Sequence, residues 1–209
     1  SIYLSTSTGS TNNVLSRLDS LYERAKLTDN KIDRKLYKDF MLNRDMYYIA
    51  YKKLKSKPGM FNPSEHGDLP SYVLDDIIER LQIGDFKFTP VNKVKLSKGK
   101  SCNLGNTNDK LVQEVIRLVL ESIYEPIFKD TSHGFRPNRG CHTAIKAIYT
   151  KFTGCTWWVR GCNNICSNSI DQDKLIELLE KKIKDQRFLE LIRKVLNAGY
   201  LYSNRHETD

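Results

Sequence analysis

The sequence predicts an α+β fold, rich in helix with a small antiparallel sheet, and three features carry that expectation. Apolar residues recur at helical spacing in seven stretches, only two stretches have strand character, and the two kinds do not alternate as βαβ units. The first helix is expected over residues 14–27, with Leu15, Leu18, Tyr22 and Ala25 on one stripe. The second runs over 44–54 and buries Met46, Ile49, Ala50 and Leu54, before the turn Lys55-Ser-Lys-Pro-Gly59. Residues 60–70 hold two prolines and a glycine and read as a loop. A third helix, 71–83, turns Val73, Leu74, Ile77, Ile78 and Leu81 inward, and Gly84 is placed to end it. Residues 86–96 alternate apolar and polar around Pro90, as an edge strand or hairpin with a basic face.

The strongest helical pattern covers 109–128, where Leu111, Val115, Leu118, Val119, Ser122 and Ile123 repeat on one side. A further helix is expected over 141–152, a short strand over 155–160, and two last helices over 174–183 and 188–198, the second closed by Gly199. Asp171 and Asp173 precede or open the 174–183 helix, where their plain role is N-cap and first-turn acid.

Composition narrows the class. The 209 residues are 39% hydrophobic, enough for a sizeable core, and 28% charged, with a formal net charge of +9. A pI near 9.2 points to a polyanionic partner, nucleic acid before others, although charge alone also fits an inert basic surface. No run of 18 apolar residues occurs, so no membrane span is expected. The five cysteines are odd in number and contain no Cys-x-x-Cys pair, which favours a reducing compartment and gives no zinc signature. The opening Ser1-Ile-Tyr-Leu-Ser-Thr-Ser-Thr-Gly-Ser is rich in hydroxyls and free of acids; it reads as the stub of an organellar transit peptide or as an ordinary disordered terminus.

One loop concentrates groups suited to RNA. His133-Gly-Phe-Arg-Pro-Asn-Arg139 offers two guanidinium groups, an aromatic ring and an amide. Arg pairs bidentately with phosphate, and Phe or Arg stacks on an unstacked base. The alternative is that Phe135 is core and Arg136 pairs with a carboxylate. The basic run Lys93, Lys95, Lys98 and Lys100 faces the same choice between nucleic acid and a lysine-protected edge strand.

Two stretches carry a family resemblance: Asp109-Lys-Leu-Val-Gln-Glu114 continuing through Leu120-Glu-Ser-Ile-Tyr-Glu-Pro-Ile-Phe128, and Ser132-His-Gly-Phe-Arg-Pro-Asn-Arg-Gly-Cys-His-Thr-Ala144. Together they resemble the second conserved block of group II intron-encoded reverse transcriptases, or maturases. Residues 46–59 and 63–88 resemble the N-terminal block and fingers; 170–175 and 182–200 resemble the palm helix after the first catalytic block.

The resemblance implies reverse-transcriptase-like fingers and a partial palm: a flexible tail over 1–13, an N-terminal helical extension over 14–60, fingers over 61–153 and partial palm over 154–209. It implies contact with structured RNA through Lys93, Lys95, Lys98, Lys100, Lys110, Arg136, Asn138 and Arg139.

It also implies lost catalysis. Polymerisation needs two metal ions held by carboxylates. Aligning Gly161, Cys166 and Ile170-Asp171 places Cys162 at the family's first catalytic Asp, Ser167 at the aromatic screen of the sugar, and Asn168 at a further Asp. Arg160 replaces an acid, and Cys102 sits where a triphosphate-binding Arg is expected. The Tyr-x-Asp-Asp block does not occur before Asp209. Thiols suit hard Mg²⁺ poorly, so no cofactor and no catalytic residue are expected. The readings that follow are an RNA-binding maturase remnant in the mitochondrial matrix or a subunit co-opted into an organellar ribonucleoprotein such as a mitochondrial ribosome. A third is an enzyme completed by a second polypeptide, and a fourth a decayed reading frame. An exposed palm edge with an apolar patch is expected, and with it a protein partner that covers it.

Overall fold

The computed structural model describes residues 9–27, 32, 35–56, 69–96, 100–104, 106–161 and 170–202. In chain order the helices are α1 (Gly9–Leu27), a π-helix (Tyr37–Met41), α2 (Arg44–Lys55), α3 (Ser71–Ile83), α4 (Thr107–Tyr124) with a 3-10 turn (Glu125–Ile127), α5 (Cys141–Lys151), α6 (Gln172–Glu180) and α7 (Gln186–Asn197). Strands β1 (Val91–Leu96) and β2 (Lys100–Leu104) precede α4, and β3 (Tyr200–Tyr202) follows α7.

The expected α+β class with a small antiparallel sheet is corrected by this architecture. The described core is assembled from helices and their connections, with residues from α1, the π-helix, α2, α3, α4, α6 and α7 in one cluster. The strands form only a peripheral ladder in the order β2-β1-β3, and its direction is mixed: β1 pairs antiparallel with β2 but parallel with β3. The physical reason lies in the core pattern, whose period is 3.6 almost throughout, so helix-on-helix packing satisfies it without a sheet layer. The 155–160 run, expected as a strand, carries no strand pairing and lies exposed.

Helix ends follow their chemistry. Asn43 caps α2 by accepting from the Asp45 N–H at 2.9 Å, Asn106 caps α4 through the Asn108 N–H at 3.2 Å, and Gly84 ends α3 at φ +83°. Helix α4 is the central pillar: Leu111, Val112, Val115, Leu118, Val119 and Ile123 are all fully buried, and α1 and α2 pack on it. Pro126 falls in the turn that stops α4, where it cannot continue the α-helical hydrogen bonding. Leu21 rather than Tyr22 completes the buried stripe of α1, and Tyr47 and Tyr51 join Met46, Ala50 and Leu54 on α2. In α3, Leu74, Ile77 and Leu81 are buried while Val73 and Ile78 pack at the margin.

The π-helix has no counterpart in the sequence reading. It is fixed from behind by the far end of the chain. Asp185 accepts from the Tyr37 N–H at 2.8 Å with one carboxylate oxygen and from the Phe188 N–H at 3.2 Å with the other, so it caps α7 and anchors the π-helix together. The Tyr37 hydroxyl donates to the Leu81 carbonyl at 2.7 Å, and the Arg187 guanidinium lies 4.5 Å from the Tyr37 ring centre. A parallel bridge between Ile32 and Ile183 adds a second long-range tie.

Candidate nucleic-acid interface

The loop between α4 and α5 is built by its two arginines. Arg136 grips Glu125 in a fork: Nε donates at 3.0 and 3.1 Å to the two carboxylate oxygens, and Nη2 donates at 2.8 Å. Its Nη1 donates to the carbonyls of Lys129 at 2.8 Å and Ser132 at 3.0 Å, and the Phe128 ring lies 5.4 Å from the guanidinium carbon. The side chain keeps only 6% of its surface exposed, against 12% for Glu125. Arg139 repeats the device nearer solvent, donating to the Asp130 carbonyl at 2.6 Å and its carboxylate at 2.9 Å. The hydrogen bond from Arg139, then its charge, holds the Asp130 carboxyl below the usual range. His133 reaches Thr143 at 3.0 Å, and Thr143 accepts from the Gly140 N–H at 2.9 Å, which locks the loop to the start of α5.

Two residues are turned outward by this scaffold. Phe135 at φ 58° and Asn138 at φ 56° both adopt the left-handed conformation, and both are exposed. For a bulky aromatic that conformation costs on the order of 1 kcal/mol, and full exposure forgoes burial besides. Phe135 is therefore not core. A ring held in water on a rigid loop is a platform on which a base can stack. Gly134 beside it has open space around the position of a Cβ, so its approach side is clear.

The expected site residues fall into separate places. Arg136 and Arg139 spend their guanidinium donors inward on the loop, so they position it, while Asn138 stands at its surface. Lys110 lies half-buried in the first turn of α4. Lys93 and Lys95 lie on β1 and Lys100 on β2, in a register that sets Lys93 opposite Asn103 and Lys95 opposite Ser101; their side chains lie outside the described residues. Lys98 and Cys162 lie outside the described residues altogether. Phe135 presents its side chain to solvent, whereas the two arginines beside it are tied into the loop. Its signal was its place between Gly134 and Arg136 in a polar loop, where no apolar period requires a core residue.

The carboxylates nearest the first catalytic block have other work. Asp171 caps α6, accepting from the Asp173 and Lys174 N–H groups at 3.0 and 3.1 Å, and Asp173 pairs with Arg193 at 2.6 Å. Both carboxylates are thus engaged at the start of α6, one as its cap and the other in an ion pair. No helix among the described residues is long and apolar enough to cross a membrane.

Around the loop the surface turns apolar. Ile145, Ile148 and Tyr149 of α5 are exposed, as are Phe152, Trp157, Trp158 and Val159 after it, and Phe152 and Trp158 rest against each other at 5.7 Å. None of the residues of α5 is buried.

No family model matches the chain. Curated proteins do. It is 51% identical over 214 residues to an "Uncharacterized 91 kDa protein in cob intron" of Schizosaccharomyces pombe, covering 98% of this chain and 26% of that protein. It is 37% identical over 193 residues to the "Group II intron-encoded protein LtrA" of Lactococcus lactis, covering 88% of this chain and 32% of that one. It is 31% identical over 119 residues to "Nuclear intron maturase 1, mitochondrial" of Arabidopsis thaliana, covering 52% of this chain and 17% of that protein. The chain thus spans about a quarter to a third of the length of the first two relatives.

Proposed function

We propose that this chain, which belongs to the family of group II intron-encoded reverse transcriptases and maturases, binds structured RNA as a maturase-type module and does not itself polymerise nucleotides. The observation that carries the reading is the exposed, left-handed Phe135 on a loop whose two arginines are tied inward. The rigid loop lowers the entropy cost of ordering on binding, and the net charge of +9 supplies non-specific attraction to phosphate. The lost polymerase rests on Cys162 and Cys102 at positions where the family resemblance calls for Asp and Arg, and on the structural use of Asp171 and Asp173. Mitochondrial relatives support action in that organelle.

Filter binding of a folded intron RNA over a salt series tests the RNA reading. The expected result is a preference for that RNA over duplex DNA, with affinity falling about tenfold in Phe135→Ala, the worth of one stacked base. Equal weak binding to every polyanion, or an unchanged Phe135→Ala, overturns it. Primer extension by the parent chain would overturn the non-catalytic half.

A second reading is favoured by the uncovered face of α5 and residues 152–159: the chain is a subunit of a larger organellar ribonucleoprotein, in which another polypeptide covers that face. Co-sedimentation with mitochondrial ribosomal subunits through a gentle gradient is its expected signature, and a free monomer in the same gradient rejects it.

A further inference from the structure

Helix α4 begins with a carboxylate that its cap does not require. Asn106 already accepts from the Asn108 N–H, yet Asp109 in the first turn is only 5% exposed. A carboxylate taken out of water is costly unless it accepts hydrogen bonds. Asp109 accepts them from a residue 20 positions upstream: its Oδ2 takes the Thr89 N–H at 2.8 Å and the Thr89 hydroxyl as well. Strands β1 and β2, paired antiparallel, lie in the chain between these two residues, and so do Lys93, Lys95, Lys98 and Lys100. The contact from Thr89 to Asp109 therefore joins the two feet of the basic hairpin.

The first foot is fixed from several sides. Phe86 and Phe88 are buried edge to face, with ring centres 5.0 Å apart. The Lys194 ammonium of α7 donates to the Gly84 carbonyl at 2.8 Å, and Arg187 of the same helix donates to the Gln82 carbonyl at 3.2 Å. Pro90 disfavours a helical backbone at Thr89, which narrows where the Thr89 donors point. The second foot runs directly into α4, the central pillar of the core. A two-stranded ribbon is marginal by itself, and β3 supports it over only three residue pairs, from Val91 with Tyr200 to Lys93 with Tyr202. A buried acceptor at the root thus decides how the ribbon leaves the core.

We propose that Asp109 is a positioning residue for RNA binding: its carboxylate clasps the two feet of the β1–β2 hairpin and sets the direction in which that hairpin meets phosphate. The proposal rests on the RNA-binding reading and adds to it a residue that is itself enclosed. Both Thr89 donors are neutral, so Asp109 acts as an acceptor more than as a charge.

Amide exchange of the RNA-free chain is compared across Asp109→Ala, Asp109→Asn, Thr89→Val and Thr89→Ser, and each variant is assayed with folded intron RNA over a salt series. In Asp109→Ala, exchange at residues 92–96 and 100–104 is expected to accelerate about tenfold, with the middle of α4 little changed. RNA affinity is expected to fall about fivefold and the log–log salt slope to shrink by about one, as hairpin lysines lose their phosphate contacts. Asp109→Asn keeps an oxygen acceptor in place and is expected to stay within about twofold of the parent on both readouts. Thr89 is exposed, so Thr89→Val spares the core and carries the test if Asp109→Ala fails to fold. It should show the same pattern at smaller size, and Thr89→Ser should restore the parent behaviour. Unchanged hairpin exchange in both Asp109→Ala and Thr89→Val overturns the clasp. Faster exchange with parent-like affinity and salt slope overturns the positioning role. A loss in Asp109→Asn as large as in Asp109→Ala overturns the acceptor role. The expected exchange pattern in a chain that shows no preference for structured RNA overturns the functional reading while leaving the clasp standing.

Discussion

Helices α4 and α5 obey the same amphipathic rule and end in opposite surroundings. Ten of the 18 residues of α4 are buried, between α1, α2 and the connections of the core. None of the 11 residues of α5 is, although Ile145, Ile148 and Tyr149 fall on it at helical spacing. Periodicity dictates that a segment becomes a helix; whether its apolar face is covered depends on what else is present to cover it. The same contrast separates the two halves of the α4–α5 loop, where Arg136 is almost wholly enclosed and its neighbour Phe135 is fully exposed.

The largest effect is expected in the core. Leu118→Ala on α4 should lower unfolding stability by about 2–5 kcal/mol, read from urea titration with an unchanged m-value. Ile148→Ala on α5 should change it by about 0.5 kcal/mol or less. A loss on α5 as large as that on α4 would break the comparison, because it would mean the face is packed in the isolated chain.

The next effect lies in the loop. Arg136→Ala removes five donors from Glu125, Lys129 and Ser132 and leaves the Glu125 carboxylate partly enclosed without its partner, a loss of about 1–3 kcal/mol. Amide exchange over residues 128–140 should accelerate most, ahead of α4. If Arg136→Ala weakened RNA binding while leaving that exchange unchanged, the guanidinium would be a direct contact and not a positioning group.

How much of this was legible in the sequence follows from the range of each signal. The seven helices were, because their period is local, as is the Gly84 stop of α3; the caps at Asn43 and Asn106 were not read from the sequence. The loop after α4 was singled out as well. The inward turn of Arg136 was not, because Glu125 lies 11 residues upstream, off any helical or strand spacing. The π-helix was missed for the same reason: its anchor, Asp185, lies 148 residues from Tyr37. The strand expected over 155–160 rested on a genuine β-type composition, but a strand exists only when a neighbour pairs with it, and propensity says nothing about the neighbour. A mixed direction in the small sheet was likewise invisible, since it is set by where β3 returns after α7.

Trp157 and Trp158 give a smaller, spectroscopic test of the bare face. They are the only two tryptophans in the sequence, so indole emission reports that segment and nothing else. At 90% and 63% exposure, their emission should already resemble that of water-exposed indole in the native chain, and should move little on unfolding in urea. Iodide should quench both states almost equally. A clear red shift on unfolding would show that the segment is covered before any partner arrives; a blue shift on adding the partner would report its burial.

The smallest effect concerns α6, which lies between the two extremes: Ile176 is its one buried residue, and its start is secured by a cap. Asp171 accepts from the Lys174 and Asp173 N–H groups, and the Lys174 ammonium lies 3.7 Å away. The hydrogen bond from the Lys174 backbone, ahead of the ammonium's charge, holds the Asp171 carboxyl below its ordinary value of 3.8. A carboxyl whose folded-state value lies below the unfolded one stabilises the fold above the unfolded value, and that contribution fades as pH falls through the folded one. Asp171→Asn keeps an acceptor for the cap and removes the titration. The expected outcome is therefore equal stability of parent and variant to within a small constant at neutral pH, and a gap that moves in the variant's favour only below about pH 4. Exchange at the first-turn amides of α6 is the sensitive readout, because exposure screens the effect on global unfolding. A gap that instead changed between neutral pH and pH 5 would mean that Asp171 titrates high, as a carboxylate crowded by other acids does, and its role would then have to be sought in charge rather than in capping.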